Sequence, residues 1–113
     1  MRAKIVFLAA AFGLAVCVWT IATPAAAQDA GDPAKGEAYA QAVCATCHDI
    51  RRGGFGSKNP LATPFQAVAN TGGMTATALT VFFRTPHKMM PNLIIEGDDA
   101  ANVIAYILSL KQN

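Results

Sequence analysis

Apolar residues near the end of the chain recur at the spacing of an α-helix. Between positions 97 and 111 they form one stripe, which consists of Val103, Ile104, Ile107, Leu108 and Leu110. Asp98 and Asp99 stand at the start of this stretch, where the positive end of a helix dipole favours acidic side chains. The pattern therefore predicts a helix over residues 97–111 that buries one face.

Two more helices are predicted between residue 30 and residue 70. Asp32 before Pro33 is typical of a helix start, because Asp caps free amides and Pro suits the first helical position. Helix-compatible residues continue from there to His48. Residues 63–66 have the spacing of a capping box, which predicts a short helix to about Asn70.

A further helix is predicted over residues 75–84, which Pro86 brings to an end. Its apolar side chains fall on one face at i, i+3 and i+4, namely Leu79, Phe82 and Phe83. No segment alternates with period two, so the predicted fold class is all-α, with three or four short helices. Long loops such as residues 49–62 are unusual in a small domain unless something large sits among them.

The first 27 residues have the order of a secretory signal. A short positive start is followed by an apolar run at 5–22, and then by Ala25 and Ala27 in an A-x-A arrangement. We expect cleavage after Ala27, export to the periplasm, and one domain over residues 28–113. The alternative is an uncleaved membrane anchor, because the apolar run approaches the ~20 residues that cross a bilayer.

Removal of the signal changes the charge balance and the cysteine count. Arg2 and Lys4 leave with it, so seven of nine basic residues remain beside seven acidic ones, and the predicted domain has zero net charge. No basic stripe indicates a nucleic-acid partner. A domain of this size has a thin core and often needs a disulfide, a metal or a cofactor. Cys17 lies in the signal, which leaves Cys44 and Cys47.

Those two cysteines belong to the pentapeptide "CATCH", residues 44–48, which ends in His48. In a helix, Cys44, Cys47 and His48 fall at i, i+3 and i+4 and project from one face. C-x-x-C-H is the attachment signature of c-type haem. On this interpretation the two thiols form thioethers with the haem vinyl groups, and His48 is the proximal iron ligand.

Three other chemistries compete for the same motif. A zinc site would need two more ligands, and His87 is the one His or Cys donor left in the predicted domain. A thioredoxin-like disulfide would need a βαβ context, which the sequence lacks. A structural disulfide would leave His48 and the long loops without an explanation.

A second iron ligand is sought in the stretch "HKMMPNL", residues 87–93. Met89 or Met90 would supply a soft, neutral thioether, and His/Met ligation favours reduced iron. Methionines also fill core gaps without any such role. His87 would instead make a bis-histidine site.

The chain resembles the class I c-type cytochromes, in particular the small periplasmic monohaem ones. The resemblance covers residues 33–110 and rests on "GEAYAQAVCATCH", "TPF", "FRTPHKMMPNL" and "VIAYILSL" in that order. It implies that an N-terminal and a C-terminal helix cross at a small residue, with Gly36 at the crossing and Tyr106 packed against it. The family's last helix usually opens with Ser or Thr, whereas Glu96 and Gly97 stand here.

The resemblance also implies two roles at the haem. In the family, a proline carbonyl accepts a hydrogen bond from the proximal histidine, and this role falls to Pro64, with Pro60 as runner-up. The axial methionine usually precedes a proline, so Met90 is preferred and Met89 is the runner-up.

The function that follows is transfer of one electron by a monomeric carrier, not catalysis, with redox proteins as donor and acceptor. The rivals are a haem subunit of an oxidoreductase complex and a gas-binding or sensing haem. Apolar candidates for the pocket lining are Phe55, Phe65, Leu79, Phe82, Phe83, Leu93 and Ile107. Basic residues would either form a rim for acidic partners or remain ordinary solvated charges; they are Arg51, Arg52, Lys58 and Lys88.

Overall fold

The computed structural model describes residues 30–85, Met90 and residues 94–112, and these form a helical domain. Its α-helices are α1 (Pro33–Ala42), α2 (Phe65–Asn70), α3 (Ala76–Arg84) and α4 (Gly97–Ser109). Within the described ranges there is no β-strand, which confirms the predicted all-α fold. The predicted signal, residues 1–27, lies outside them. Among the helices that are described, none is long and apolar enough to cross a membrane.

Helices α1 and α4 pack closely where Gly36 faces α4. A Cβ atom at Gly36 would overlap the carbonyl of Asn102 and would lie 2.9 Å from Cβ of Tyr106. Glycine is therefore required by the close approach of the two backbones, although it is a weaker helix former than alanine. The predicted crossing at Gly36 and Tyr106 is confirmed.

The start of α1 is fixed by Asp32, as predicted. Its side-chain oxygen accepts hydrogen bonds from the amides of Ala34 and Lys35, at 2.8 and 3.3 Å. Its own amide donates to the side chain of Asn102 at 2.7 Å. One residue thus caps α1 and also ties its first turn to α4.

The predicted bounds of the last two helices are close to those observed. The Thr75 hydroxyl caps α3 by accepting from the Ala78 amide at 3.1 Å. Helix α4 ends at Ser109, two residues before the predicted Lys111. Residues from all four helices and from the intervening loop form the core; they are Ala40, Cys44, Ile50, Phe65, Ala69, Leu79, Val103, Ile104, Tyr106, Ile107 and Leu110.

Two local predictions are wrong. Helix α1 ends at Ala42 and does not continue to His48, because the backbone at Val43 turns to φ −115°. Helix α2 begins at Phe65 without a side-chain cap, so the capping box over residues 63–66 does not form. The Gln66 side chain, which would have completed that box, is buried and bonded elsewhere.

Candidate haem site

The two cysteines and His48 lie on a short turn that follows α1. Residues Cys44–Thr46 form a 3₁₀ turn, and the amides of Cys47 and His48 both donate to the Cys44 carbonyl, at 3.1 and 2.9 Å. The turn therefore holds Cys44, Cys47 and His48 within a single helical turn, although it is not part of α1. Cys44 and Cys47 do not form a disulfide with each other, so both sulfurs are available for thioether bonds.

The environment of Cys44 suits a neutral sulfur. Its side chain is part of the apolar core, and burial raises the pKa of the Cys44 thiol to about 11. A thioether carries no ionisable proton, so bond formation with a vinyl group would introduce no charge into the core. Cys47 is more exposed. Within the described residues, no group of three or more His, Cys, Asp or Glu side chains is arranged to hold a metal ion.

The imidazole of His48 is held by two contacts. Its Nδ1 lies 2.7 Å from the carbonyl oxygen of Thr63, and its ring packs against Phe65 at a centroid distance of 5.5 Å. A carbonyl can only accept, so Nδ1 carries the proton and donates it. With the proton on Nδ1, Nε2 is the ring nitrogen whose lone pair can bind a metal. These features fit the attachment of a haem through this turn.

The assignment of this hydrogen bond to Pro64 is wrong by one residue. Thr63 provides the acceptor, and the Pro64 carbonyl instead accepts from the amides of Ala67 and Val68 in the first turn of α2. Pro64 has no amide proton and a restricted φ angle, which suit the residue that precedes a helix. The carbonyl before it, that of Thr63, faces His48. Pro60, the runner-up, does not take this role either.

The segment that carries Thr63 is fixed to the attachment turn at both ends. The amide of Asn59 donates to the Cys47 carbonyl at 3.0 Å, and that of Phe65 donates to the Asp49 carbonyl at 2.9 Å. The position of the Thr63 carbonyl therefore follows from backbone bonds on either side of His48. The family resemblance indicated a backbone carbonyl in this segment, but which residue provides it depends on these backbone bonds and is not encoded in the side chains.

Sequence analysis also missed Asp49, which directly follows His48. Its side chain is 4% exposed and accepts hydrogen bonds from Nε and a terminal nitrogen of Arg51, at 3.0 and 2.9 Å. Hydrogen bonds from Arg51 lower the pKa of the Asp49 carboxyl to about 2. An Asp two residues before an Arg is the signal in the sequence that could have indicated this pair.

A second missed residue, Gln66, connects the loop to two helices. Its carbonyl oxygen accepts from the Gly53 amide at 2.8 Å, and its amide nitrogen donates to the Leu110 carbonyl at 2.7 Å and to Asn70 at 3.3 Å. All its polar atoms are thus satisfied in a buried position. The loop after His48, α2 and the end of α4 are joined through this one side chain.

The residues predicted to line the pocket differ in how far the chain itself buries them. Phe65, Leu79 and Ile107 are buried, and Phe83 packs against the core. In contrast, Phe55 is 92% exposed and Phe82 is 48% exposed, so neither belongs to the core of the chain. Leu93 lies outside the described residues.

The predicted distal ligands lie in a stretch of which little is described. Met90 is partly buried, whereas Met89 and His87 fall outside the described residues. Ligation by Met90 therefore stays a prediction. Of the basic residues considered as a rim, Arg51 pairs with Asp49, and Lys58 is exposed.

Comparison with known proteins agrees with this arrangement. The family model described as cytochrome c matches residues 33–111. A cytochrome c-552 of Bradyrhizobium diazoefficiens is 28% identical over 94 residues, which span 83% of this chain and 89% of that protein. No solved structure matches the chain.

Proposed function

Because the chain belongs to the cytochrome c family, we propose that it is a periplasmic electron carrier whose haem has His48 and Met90 as axial ligands. Members of this family carry a covalently bound haem c, which contains iron. The family match therefore supports a role in electron transport. The bound haem supplies a one-electron redox couple. The observation that carries the proposal is the turn at residues 44–48, with Nδ1 of His48 bonded to Thr63.

The chain's own residues have distinct tasks in this proposal. Cys44 and Cys47 tether the cofactor, and the rigid 3₁₀ turn fixes the distance between their sulfurs. The Thr63 carbonyl selects the tautomer of His48 and makes the ring a more basic ligand. Phe65, which is buried between His48 and Tyr106, restricts rotation of the imidazole.

The distal ligand rests on position in the sequence. Met90 is partly buried and precedes Pro91, whose fixed φ angle stiffens the backbone beside it. Neighbouring side chains in an extended segment point in opposite directions, so Met89 and Met90 cannot both face the iron. A neutral thioether opposite an imidazole stabilises the reduced state, which suits a carrier.

Periplasmic location rests on the predicted signal. Export would place the domain that carries Cys44 and Cys47 in the periplasm, where we propose that the protein acts. The test is intact mass spectrometry of the protein purified from the periplasm. We expect a chain that begins near Gln28 with the mass of one haem added covalently. Free thiols at both Cys44 and Cys47 in haem-loaded protein would overturn the attachment, and retention of residues 1–27 would favour an uncleaved anchor.

A further inference from the structure

The loop after the attachment turn, residues 49–58, is held in place by its own hydrogen bonds. The Ser57 hydroxyl accepts from the Asp49 amide at 3.0 Å, which joins the two ends of the loop. The Gly53 amide near its middle is bonded to the buried side chain of Gln66 at 2.8 Å. The conformation of the loop is therefore defined by contacts with the body of the protein.

Phe55 projects from this fixed loop into solvent. Its side chain is 92% exposed, whereas the preceding Gly54 is buried so closely against Asp49 that a Cβ atom would lie 2.5 Å from the carboxylate. The backbone at Gly54 is thus held against the protein while the next side chain points away from it. A large apolar ring held out of the core of the chain is available for contact with another molecule, and aromatic side chains are enriched at the centres of protein interfaces.

The 49–58 loop is continuous with the haem-attachment turn. It begins at the residue after His48, and just beyond its end the Asn59 amide donates to the Cys47 carbonyl at 3.0 Å. A partner that binds at Phe55 therefore lies beside the backbone that carries the redox centre. This placement favours a redox protein as the occupant.

The ionised side chains around Phe55 are mainly basic. Arg51 has a side chain that is 78% exposed, and Arg52 and Lys58 are also exposed. The Asp49 carboxylate forms an ion pair with Arg51 at 2.9 Å and offsets its charge, so Arg52 and Lys58 supply the net positive charge of the loop. Glu37 of α1 is the acidic residue that shares an open cleft of about 310 Å³ with the two arginines. The loop as a whole therefore presents more positive than negative charge.

We propose that Phe55 is the apolar anchor of a docking surface for a redox protein that offers a phenyl-sized recess bordered by carboxylates. This inference rests on the proposed function, because it names the partner of the same redox site. Arg52 and Lys58 orient the partner, and Phe55 provides the contact that fixes it. One electron then passes between the bound haem and a one-electron centre of the partner, so one is oxidised as the other is reduced.

The experiment uses the holo-protein and a defined surface that imitates such a partner. Gold electrodes are coated with alkanethiols that end in carboxylate groups alone, or in a mixture of carboxylate and methyl groups. Voltammetry then gives the half-saturating protein concentration and the reduction potential. We expect binding to the mixed surface to be about tenfold tighter than to the carboxylate surface, and Phe55→Ala to abolish that gain.

Matched controls separate the anchor from general surface effects. Leu61 is also apolar and 67% exposed, and Leu61→Ala should keep the gain within about twofold of the wild type. Lys58→Glu should weaken binding to both surfaces, whereas Lys35→Glu, an exposed charge on α1, should change it less than about twofold. Equal effects of the Phe55 and Leu61 substitutions would overturn the proposal.

Two further measurements decide the other outcomes. A shift in reduction potential or haem absorbance in Phe55→Ala would assign the ring to the haem environment and would overturn the docking role. Binding of the wild type, but not of Phe55→Ala, to vesicles of phosphatidylcholine and phosphatidylglycerol would assign the loop to a lipid surface instead. Failure of the proposed function is distinguishable, because the wild type would then show no reversible one-electron signal on either electrode.

Discussion

The carbonyl oxygen of Thr63 accepts a hydrogen bond of 2.7 Å from Nδ1 of His48. This bond sets both the tautomer and the direction of the imidazole, because a carbonyl cannot donate in return. The acceptor belongs to the backbone of a segment that is bonded to Cys47 on one side and to Asp49 on the other. The orientation of the proposed iron ligand is thus set by backbone groups and does not depend on one side chain that a substitution could remove.

Replacement of Gly36 by alanine should destabilise the fold. Alanine is the better helix former by ~1 kcal/mol, but its Cβ would overlap the Asn102 carbonyl of α4. We expect the free energy of unfolding to fall by about 1–3 kcal/mol or more in urea denaturation. Gly72→Ala is the control, since nothing lies within 4 Å of the added atom there. If both variants were as stable as the wild type, the close crossing of α1 and α4 would be wrong.

The crossing illustrates what the sequence predicts well. The resemblance to the class I c-type cytochromes implied the roles of Gly36 and Tyr106, and the bounds of α3 and α4 follow from local periodicity and capping. The end of α1 was overestimated, because the residues after Ala42 are all compatible with a helix. Their turn is imposed by hydrogen bonds that return to the Cys44 carbonyl, a feature that helix propensity does not encode.

Gln66→Ala should lower stability through the partners that it leaves unpaired. The Gly53 amide and the Leu110 carbonyl would each lose a hydrogen bond, at a cost of about 1–3 kcal/mol per buried group. Asn70→Ala is a matched control, because it removes only a weaker 3.3 Å contact from Gln66 and an exposed bond to the Gln112 amide. Urea denaturation of both variants measures the difference. Equal losses would show that the bridge through Gln66 is not the important contact.

The buried role of Gln66 also explains why the capping box failed. A local pattern over residues 63–66 assigned its side chain to the helix start, whereas the fold uses it to join parts of the chain 13 and 44 residues away. Similarly, hydrophobicity gives no indication that the chain leaves Phe55 exposed. The Gly54 backbone is held against Asp49, so the side chain of the next residue, Phe55, points away from the protein. This contact depends on the conformation of the loop, which the sequence pattern does not reveal.

Tyr106→Phe should remove a buried hydrogen bond while leaving the ring in place. The Tyr106 hydroxyl donates to the Ile50 carbonyl at 2.9 Å, so we expect a loss of about 1 kcal/mol at neutral pH. Burial, with a smaller effect of Glu37, raises the pKa of Tyr106, which means that the folded state favours the neutral phenol. Its stabilising effect is therefore complete below pH ~10 and is lost as the pH rises through the folded-state pKa.

The measurement for Tyr106 is urea denaturation of the wild type and the variant at pH 7 and at pH values above 10. The difference between their free energies of unfolding should be largest at neutral pH and should shrink in alkali. A difference that grew with pH would mean that the tyrosinate, and not the phenol, is stabilised in the folded protein.

Substitution of the two methionines should separate their roles. Met90→Ala should remove the weak near-infrared band of methionine-ligated ferric iron, lower the reduction potential and admit carbon monoxide to the ferrous form. Met89→Ala should keep the band and affect packing alone, by at most about 2–5 kcal/mol if the side chain is buried. The reverse pattern would move the ligand to Met89. Retention of the band in both variants would mean that either methionine can bind the iron, whereas its absence from the wild type would make His87 the candidate.

The most direct test of the electron-carrier function is a spectroelectrochemical titration of the purified holo-protein, run with and without carbon monoxide. We predict a single reversible one-electron transition of a covalently bound haem, with the same midpoint in both runs, because two protein ligands leave no open position on the iron. A midpoint that rises in the presence of carbon monoxide, with rapid formation of the carbonyl spectrum, would contradict this and would favour a gas-binding haem. The absence of any haem transition would contradict the electron-carrier function altogether.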